Sequence, residues 1–517
     1  MSDKERIDIF FIFLRKMRDD CCKTGVWFPI VFLLLFTTGL MMVCSNESWL
    51  RIEYPREDSA WFFTAGRSWM SGLKPYLDFS DSKGPLLWLI YGLGYLISPH
   101  TMHGLFLFEV LFYFGTFVCL YFSAKIFLKS EGKSLLASCL MAFIFFQPWL
   151  HQEIRVEDYN QLFYSLTLLS VVKILISDNL KKRYFILLGL SAGCCLFTKF
   201  NSTLILTAPS FVVFLYVIRN FGLKTALQKL GWWLTGFLII TLPFFIYFYL
   251  NGILSNFIGE YFLTTSVTVN TIYGWGGESF FERWPFNLYS LIGFDQARNI
   301  GFKIALFGIC LLPLRLYRNN WFRATISIWF VAAVLLSTIV WFRHYMFSLS
   351  VMSLFMMVTW LSFVPALSKP FVTLCGGLII AINGLLLNHF EFKPVERAKV
   401  ETAAKEKVDI LIGDFIKEND RHPTIAYLYL CDSGFGMKNE VVAGSKYWSF
   451  QAGFTYEMAL EHISEIFRKH PDVVVVERNE KEIRDSLERH GYVEIREKYL
   501  KDLDRDEYFI QPIYVRF

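Results

Sequence analysis

The chain has 517 residues, 54% of them hydrophobic and 18% aromatic, with 54 Phe and only 19% charged. Soluble domains are usually about 45–50% apolar and carry more charge, so this composition, gathered into long runs, indicates a polytopic membrane protein. The net charge of +5 is modest and gives no sign of a nucleic-acid-binding surface, and the ten Cys, mostly inside hydrophobic runs, show neither zinc-ligand spacing nor a dense disulfide framework.

Residues 1–25 are polar and basic, with Lys4, Arg6, Arg15, Lys16, Arg18 and Lys23. They predict a cytoplasmic segment before an uncleaved anchor. A helical span needs about 20 mainly apolar residues. The predicted spans are 26–44, 104–124, 134–150, 160–177, 184–200, 203–219, 231–250, 300–315, 324–342, 346–364 and 371–389. The run 85–98 lies between Pro85 and Pro99; at about 14 residues it suits an interfacial or re-entrant helix. Counting it as non-spanning keeps the Lys- and Arg-rich loops around 125–133, 181–183, 219–229 and 315–323 on the cytoplasmic side, as the positive-inside rule requires.

The same count puts the loops 45–103, 151–159 and 251–299 and the tail on the external side. The first loop carries Glu57, Asp58, Asp78, Asp81 and Lys83. The second carries His151, Glu153, Arg155, Glu157 and Asp158, and the third Glu260, Tyr261, Tyr273, Trp275, Glu278 and Arg283. Lys199, Arg343, His344 and Tyr345 fall at outer span boundaries. Charges beside a bilayer are costly unless they face water or a polar site, so their convergence on one side predicts one site. From about residue 390 the chain turns charged, and 390–517 predicts a small external α/β domain. Its strands are expected in PTIAYLYL, PDVVVVERN and EYFIQPIYVRF, and a helix in KVETAAKEKVDILIGDFIKEND. The domain is large enough for its own core. The fold class expected is a helical membrane protein of about eleven spans plus interfacial helices, with the catalytic part at 26–389.

Sugar transfer from an activated donor fits these residue types. A carboxylate must accept the proton of the incoming hydroxyl, and cations must neutralise the departing phosphate. Asp58 suits the first role. Lys83, Lys199 and Arg343 suit the second, Arg through bidentate contact. Each has a plainer alternative. Glu57 and Asp58 also suit a helix cap, Lys83 and Lys199 snorkelling side chains, and Arg343 and His344 interface anchors. The aromatics at 261–284 suit a membrane belt as well as stacking on sugar or acceptor.

Three motifs in order resemble the GT-C-fold membrane glycosyltransferases, in particular the bacterial branch similar to protein O-mannosyltransferases and the lipid A aminoarabinose transferase (ArnT-like). They are Asp58 with Gly72-Leu73-Lys74-Pro75-Tyr76-Leu77-Asp78 and Lys83-Gly84-Pro85-Leu86, then Arg155-Val156-Glu157-Asp158, then Gly193 to Thr198-Lys199. The resemblance spans roughly residues 26–350. It implies an inverting transferase of the bacterial plasma membrane with its site on the external face. The donor is a polyprenyl-phosphate sugar and the acceptor a glycolipid, polysaccharide or protein. By the same resemblance Asp58 is the base and Asp158 a supporting catalytic residue. Glu57, Asp81, Lys83, Arg155, Glu157, Lys199, Tyr273, Arg343 and His344 are the expected donor-phosphate and substrate contacts. Many relatives have Asp followed by Asp or Glu, whereas here Asp58 lies between Glu57 and Ser59. That leaves the division of labour, and a divalent Mg²⁺ or Mn²⁺ among oxygen ligands, open. The competing classes are a lipid-linked-sugar flippase and an O-antigen polymerase or ligase. A flippase favours midplane charges in repeated halves, and here no repeat is visible. A polymerase or ligase typically carries its large catalytic loop late in the chain.

Overall fold

The computed structural model describes residues 27–50, 57–146, 156–264, 300–339 and 347–390. In the tail it describes 406, 409–410, 412–413, 422–428, 432, 434–449, 456–476, 481–494 and 513–516. An apolar run in lipid must satisfy its own backbone groups, and the long runs are accordingly helical. In chain order they are α1 (Trp27–Cys44), α2 (Glu57–Met70), α3 (Pro85–Ile97), α4 (His103–Leu128), α5 (Glu131–Leu140), α6 (Ala142–Phe145), α7 (Val156–Leu175), α8 (Lys182–Thr198), α9 (Phe200–Phe221), α10 (Leu223–Leu250), α11 (Leu254–Phe257), α12 (Ile300–Cys310), α13 (Asn320–Ile339), α14 (Phe347–Ser350), α15 (Leu354–Ser362) and α16 (Lys369–Phe390). A π-helical turn, Ile258–Thr264, follows α11.

Among the described residues, five helices are long and apolar enough to cross a membrane: α1, α4, α9, α10 and the 369–386 part of α16. Every other predicted span also meets helix, but several are interrupted. The span expected at 134–150 breaks at Met141 between α5 and α6. That at 346–364 contains a 3₁₀ turn, Val351–Ser353, between α14 and α15. That at 300–315 stops at Cys310, ahead of Pro313, which removes a backbone donor and cannot continue the ladder. The 13 residues of α3 rise about 20 Å, short of the roughly 30 Å hydrocarbon core. Pro85 starts the helix, where a missing N–H costs nothing.

Small residues set the closest helix pair. A Cβ on Gly189 of α8 would sit 1.8 Å from the Trp233 carbonyl oxygen, and one on Gly236 of α10 would sit 2.0 Å from that of Ile186. Only glycine lets the two backbones meet this way. At the other edge, α1 packs on α16 with Phe32 at Gly376, Gly39 at Ile380 and Val43 at Gly384. The contacts advance in the same direction, so the first and last long apolar helices run parallel. The chain therefore leaves both on one side of the bundle.

The tail forms a sheet of β1 (Thr424–Leu428), β2 (Val442–Ala443), β3 (Val473–Val476), β4 (Tyr492–Glu494) and β5 (Ile513–Arg516), in the order β2-β1-β3-β5-β4. β1 is parallel to β2 and β3, and β5 is antiparallel to β3 and β4. Alternate residues divide between two cores, as the period-2 pleat demands. Ala426, Leu428, Val474, Val476 and Tyr514 pack with Ile466 and Leu487 of the helices α17 (Tyr456–Lys469) and α18 (Lys481–Arg489). Ile425, Tyr427, Val473, Val475, Ile513 and Val515 join a second cluster that includes Trp61, Phe62, Phe79, Trp88 and Tyr91 of the first loop. The sheet is buried on both faces, which explains the unbroken valine run of β3. The three strands expected from sequence are β1, β3 and β5. The tail helix expected at KVETAAKEKVDILIGDFIKEND lies mostly outside the described residues.

Candidate active site

The site begins where the first loop meets the end of α8. Gly84 N–H donates to the Thr198 carbonyl at 3.0 Å, and a Cβ on Gly84 would lie 2.2 Å from the Phe197 carbonyl oxygen. This stitch brings Lys83 and Lys199, the neighbours of the bonded residues, to one place. Tyr76 fixes the loop from inside: its hydroxyl donates to the Lys83 carbonyl at 2.9 Å, and its own φ is +64°, a left-handed conformation uncommon for a bulky residue. The Lys83 ammonium lies 5.7 Å from the Trp61 ring centroid and 5.8 Å from that of Phe62, within cation–π range.

Lys199 is the single residue between α8 and α9, and its backbone is extended. That break turns its side chain onto Glu157 in the first turn of α7, where the two form a buried ion pair. Sequence reasoning put Glu157 and Asp158 in a loop. The structure instead starts α7 at Val156 and buries both carboxylates. Acidic residues favour a helix N-terminus, which is why a charged stretch here is helical. Asp158 accepts a hydrogen bond from Tyr113 at 2.5 Å. Asn160 ties the same turn to α8 and α9, accepting from Thr198 at 2.7 Å and donating to Ser202 at 3.0 Å. Gln161 donates to the Phe347 carbonyl at 2.8 Å, holding the start of α14 against α7.

Asp81 is buried, and Ser82 donates to its Oδ1 at 3.0 Å. Burial pushes the Asp81 carboxyl above the usual range; Lys83 and Ser82 oppose the shift and nearby Asp58 adds to it. Asp58 lies in the first turn of α2 and is half-buried. The structure thus gathers Asp58, Asp81, Lys83, Glu157, Asp158 and Lys199 at one end of the bundle. Glu57 is the first residue of α2, with its side chain outside the described residues. Arg155, Tyr273, Arg343 and His344 also lie outside them. Among the described residues, no group of three or more His, Cys, Asp or Glu is arranged to hold a metal ion.

Sequence reasoning missed polar residues that hold the charged ones, Tyr113, Asn160 and Ser82, and gave no role to Thr198 of the third motif. Only Tyr113 carried the signal of a polar side chain inside an apolar run. It also missed the tail's contribution. Lys446 pairs with Glu260 of the π-helical turn at 2.6 Å, and Ser80 and Tyr447 each donate to that carboxylate at 3.1 Å. Ser80 N–H donates to the Lys446 carbonyl at 2.7 Å, and Trp448 packs edge-on against Trp61 and Phe79. Burial opposes the charge on Lys446, yet contact with Glu260 and Tyr447 raises its pKa above the ordinary value.

The whole architecture has counterparts. ArnT from Cupriavidus metallidurans superposes in its apo state with a TM-score of 0.57 at 11% identity, over 95% of this chain and 98% of that one. The same protein bound to undecaprenyl phosphate gives a TM-score of 0.58 at 11% identity, over the same shares. The fold is GT-C. A third GT-C structure, the arabinofuranosyltransferase AftD from Mycobacteria, gives a TM-score of 0.50 at 11% identity, over 94% of this chain and 41% of that one. The family model for dolichyl-phosphate-mannose-protein mannosyltransferases matches residues 82–248, a stretch that includes Lys83, Glu157, Asp158 and Lys199 but not Asp58 or Asp81. No curated protein matches the sequence. Family match and fold together support a membrane glycosyltransferase.

Proposed function

We propose that the chain is an inverting glycosyltransferase that moves one monosaccharide from a polyprenyl-phosphate donor to an acceptor hydroxyl at the external face of the bacterial plasma membrane. In this reading the first loop, the end of α8 and the tail at 390–517 all lie outside, and the acceptor is a glycolipid, polysaccharide or protein. The observation that carries the reading is the Gly84–Thr198 stitch. It sets two lysines beside the carboxylates of the first loop and α7, in a fold shared with a protein solved with undecaprenyl phosphate bound.

Asp58 accepts the acceptor's proton as its oxygen forms a bond to the anomeric carbon. The bond from that carbon to the phosphate oxygen breaks, and the phosphate keeps the electron pair. A single displacement inverts the centre. Lys83 and Lys199, with Arg343, neutralise the charge gained by the leaving phosphate. Glu157 and Asp158 hold the frame, and Arg155, Tyr273 and His344 complete the substrate contacts.

The test compares wild type with Asp58→Asn in detergent, using a radiolabelled polyprenyl-phosphate sugar. A general base contributes about 10²–10⁴-fold, so the variant should lose transfer by that order while still binding undecaprenyl phosphate. Full turnover in Asp58→Asn removes Asp58 as the base.

A further inference from the structure

From Ser80 to Gly84 the first loop is held on all sides. Ser80 is tied to Glu260 and to the Lys446 carbonyl. The Lys83 ammonium donates to Ser82 Oγ at 3.3 Å, and the Ser82 hydroxyl donates to Asp81 Oδ1 at 3.0 Å. Gly84 is bonded to Thr198. Within that stretch Asp81 Oδ2 is buried and has no hydrogen-bond partner, in a residue only 4% exposed. A buried polar atom left unpaired costs about 1–3 kcal/mol, so a rigid loop that keeps one on a residue beside Lys83 and Asp58 points to a ligand atom there.

We infer that Asp81 enters the donor site as a neutral carboxyl and that its Oδ2 donates a hydrogen bond to a phosphate oxygen of the donor. The inference rests on the function proposed above and deepens it. A carboxylate in this place would face the phosphate's own charge and the Asp58 side chain without solvent to screen either. A neutral carboxyl instead adds a donor beside the Lys83 cation. Burial raises the Asp81 pKa, which acts in the same sense. Two carboxyls on one loop then take opposite roles, Asp58 as base and Asp81 as donor, a separation that environment alone produces.

The sign of the pH effect follows. A raised pKa means that the neutral form is complete at low pH and is lost as pH rises through that value. Donor binding should therefore weaken with rising pH. The groups facing Asp81 are Asp58 on α2, Lys83 and Tyr76 on the loop, and Tyr261 on the π-helical turn, with Glu260 and Lys446 beyond Ser80. They and the phosphate are present in wild type and variant alike, so the ratio between the two reports what the Asp81 carboxyl adds.

The experiment measures undecaprenyl phosphate binding to the full chain in detergent, as wild type, Asp81→Ala and Asp81→Asn, across acidic to mildly alkaline pH. Alanine removes the donor and should weaken binding about tenfold or more. Asparagine restores an N–H donor that does not titrate and should recover most of the affinity. Wild type should lose ground to Asp81→Asn as pH rises. Asparagine as weak as alanine, or a ratio that stays flat with pH, overturns the inference while leaving the donor class in place. A monodisperse, folded wild type that does not bind the lipid removes the donor class itself, and the inference with it.

Discussion

Lys199 shows how much a single position carries. It interrupts the helix between α8 and α9, and its ammonium meets Glu157 with both side chains nearly out of solvent. Removing one partner of such a pair leaves a buried charge uncompensated, at a cost of about 3–5 kcal/mol, whereas replacing both with apolar groups is often neutral. Glu157→Gln and Lys199→Met should therefore each lower thermal stability in detergent, and the double variant should regain most of it. Transfer separates structure from chemistry. If Lys199 neutralises phosphate, the stable double variant still fails to transfer. Recovered transfer in that variant would reduce the pair to a strut. The sequence made both charges visible but not their pairing, because the two residues lie far apart in the chain and meet only through the packing of α7 on α8. Asp81 was visible in the same partial way: its charge is read directly, its burial is not.

At the level of elements, the loop between α2 and α3 matters through one glycine. A Cβ at Gly84 would overlap the Phe197 backbone, which cannot give way as a flexible side chain would. Gly84→Ala should lift the loop from the end of α8, breaking the Thr198 bond and carrying Lys83 and Asp81 away from Lys199. Overpacking of this kind costs about 1–3 kcal/mol. The expected result is a folded protein whose affinity for undecaprenyl phosphate falls at least tenfold; unchanged affinity would mean that the stitch does not build the site. The helices were legible because an apolar run in lipid has few alternatives to helix, and Pro85 with Pro99 bounded α3 correctly. Breaks such as Met141 and the turn at Val351–Ser353 were not, since nothing in local hydropathy marks where a helix bends around its neighbours. The first turn of α7 was hidden for the opposite reason: its two carboxylates imitate a loop until the helix N-terminus and their buried partners are seen. In the tail, the valine run and its two companions announced β1, β3 and β5. The two residues of β2 and three of β4 are too short to show a period.

For the molecule as a whole, the tail sheet is part of the wall behind the site. One of its faces shares a core with α2 and α3. Thr64 donates to Asp432 at 2.7 Å, Arg67 to the Met437 carbonyl at 3.2 Å, and Ala443 N–H to Ser68 at 2.9 Å. Composition revealed a separate α/β segment but gave no hint that it docks here, because these contacts join residues more than 350 positions apart. Lys446 also belongs to the junction, and its pair with Glu260 is partly buried at 2.6 Å. Lys446→Met keeps the aliphatic stem and removes the charge, while Ser80 and Tyr447 still donate to Glu260. Losing a charge-assisted bond costs about 1–3 kcal/mol locally, too little to unfold the bundle. It should instead raise hydrogen exchange at 442–449 and 80–83 together and weaken donor binding several-fold through the displaced Asp81. If exchange rises in the tail while residues 80–83 and donor affinity stay as in wild type, the sheet is a passenger on the first loop and not a support for the site.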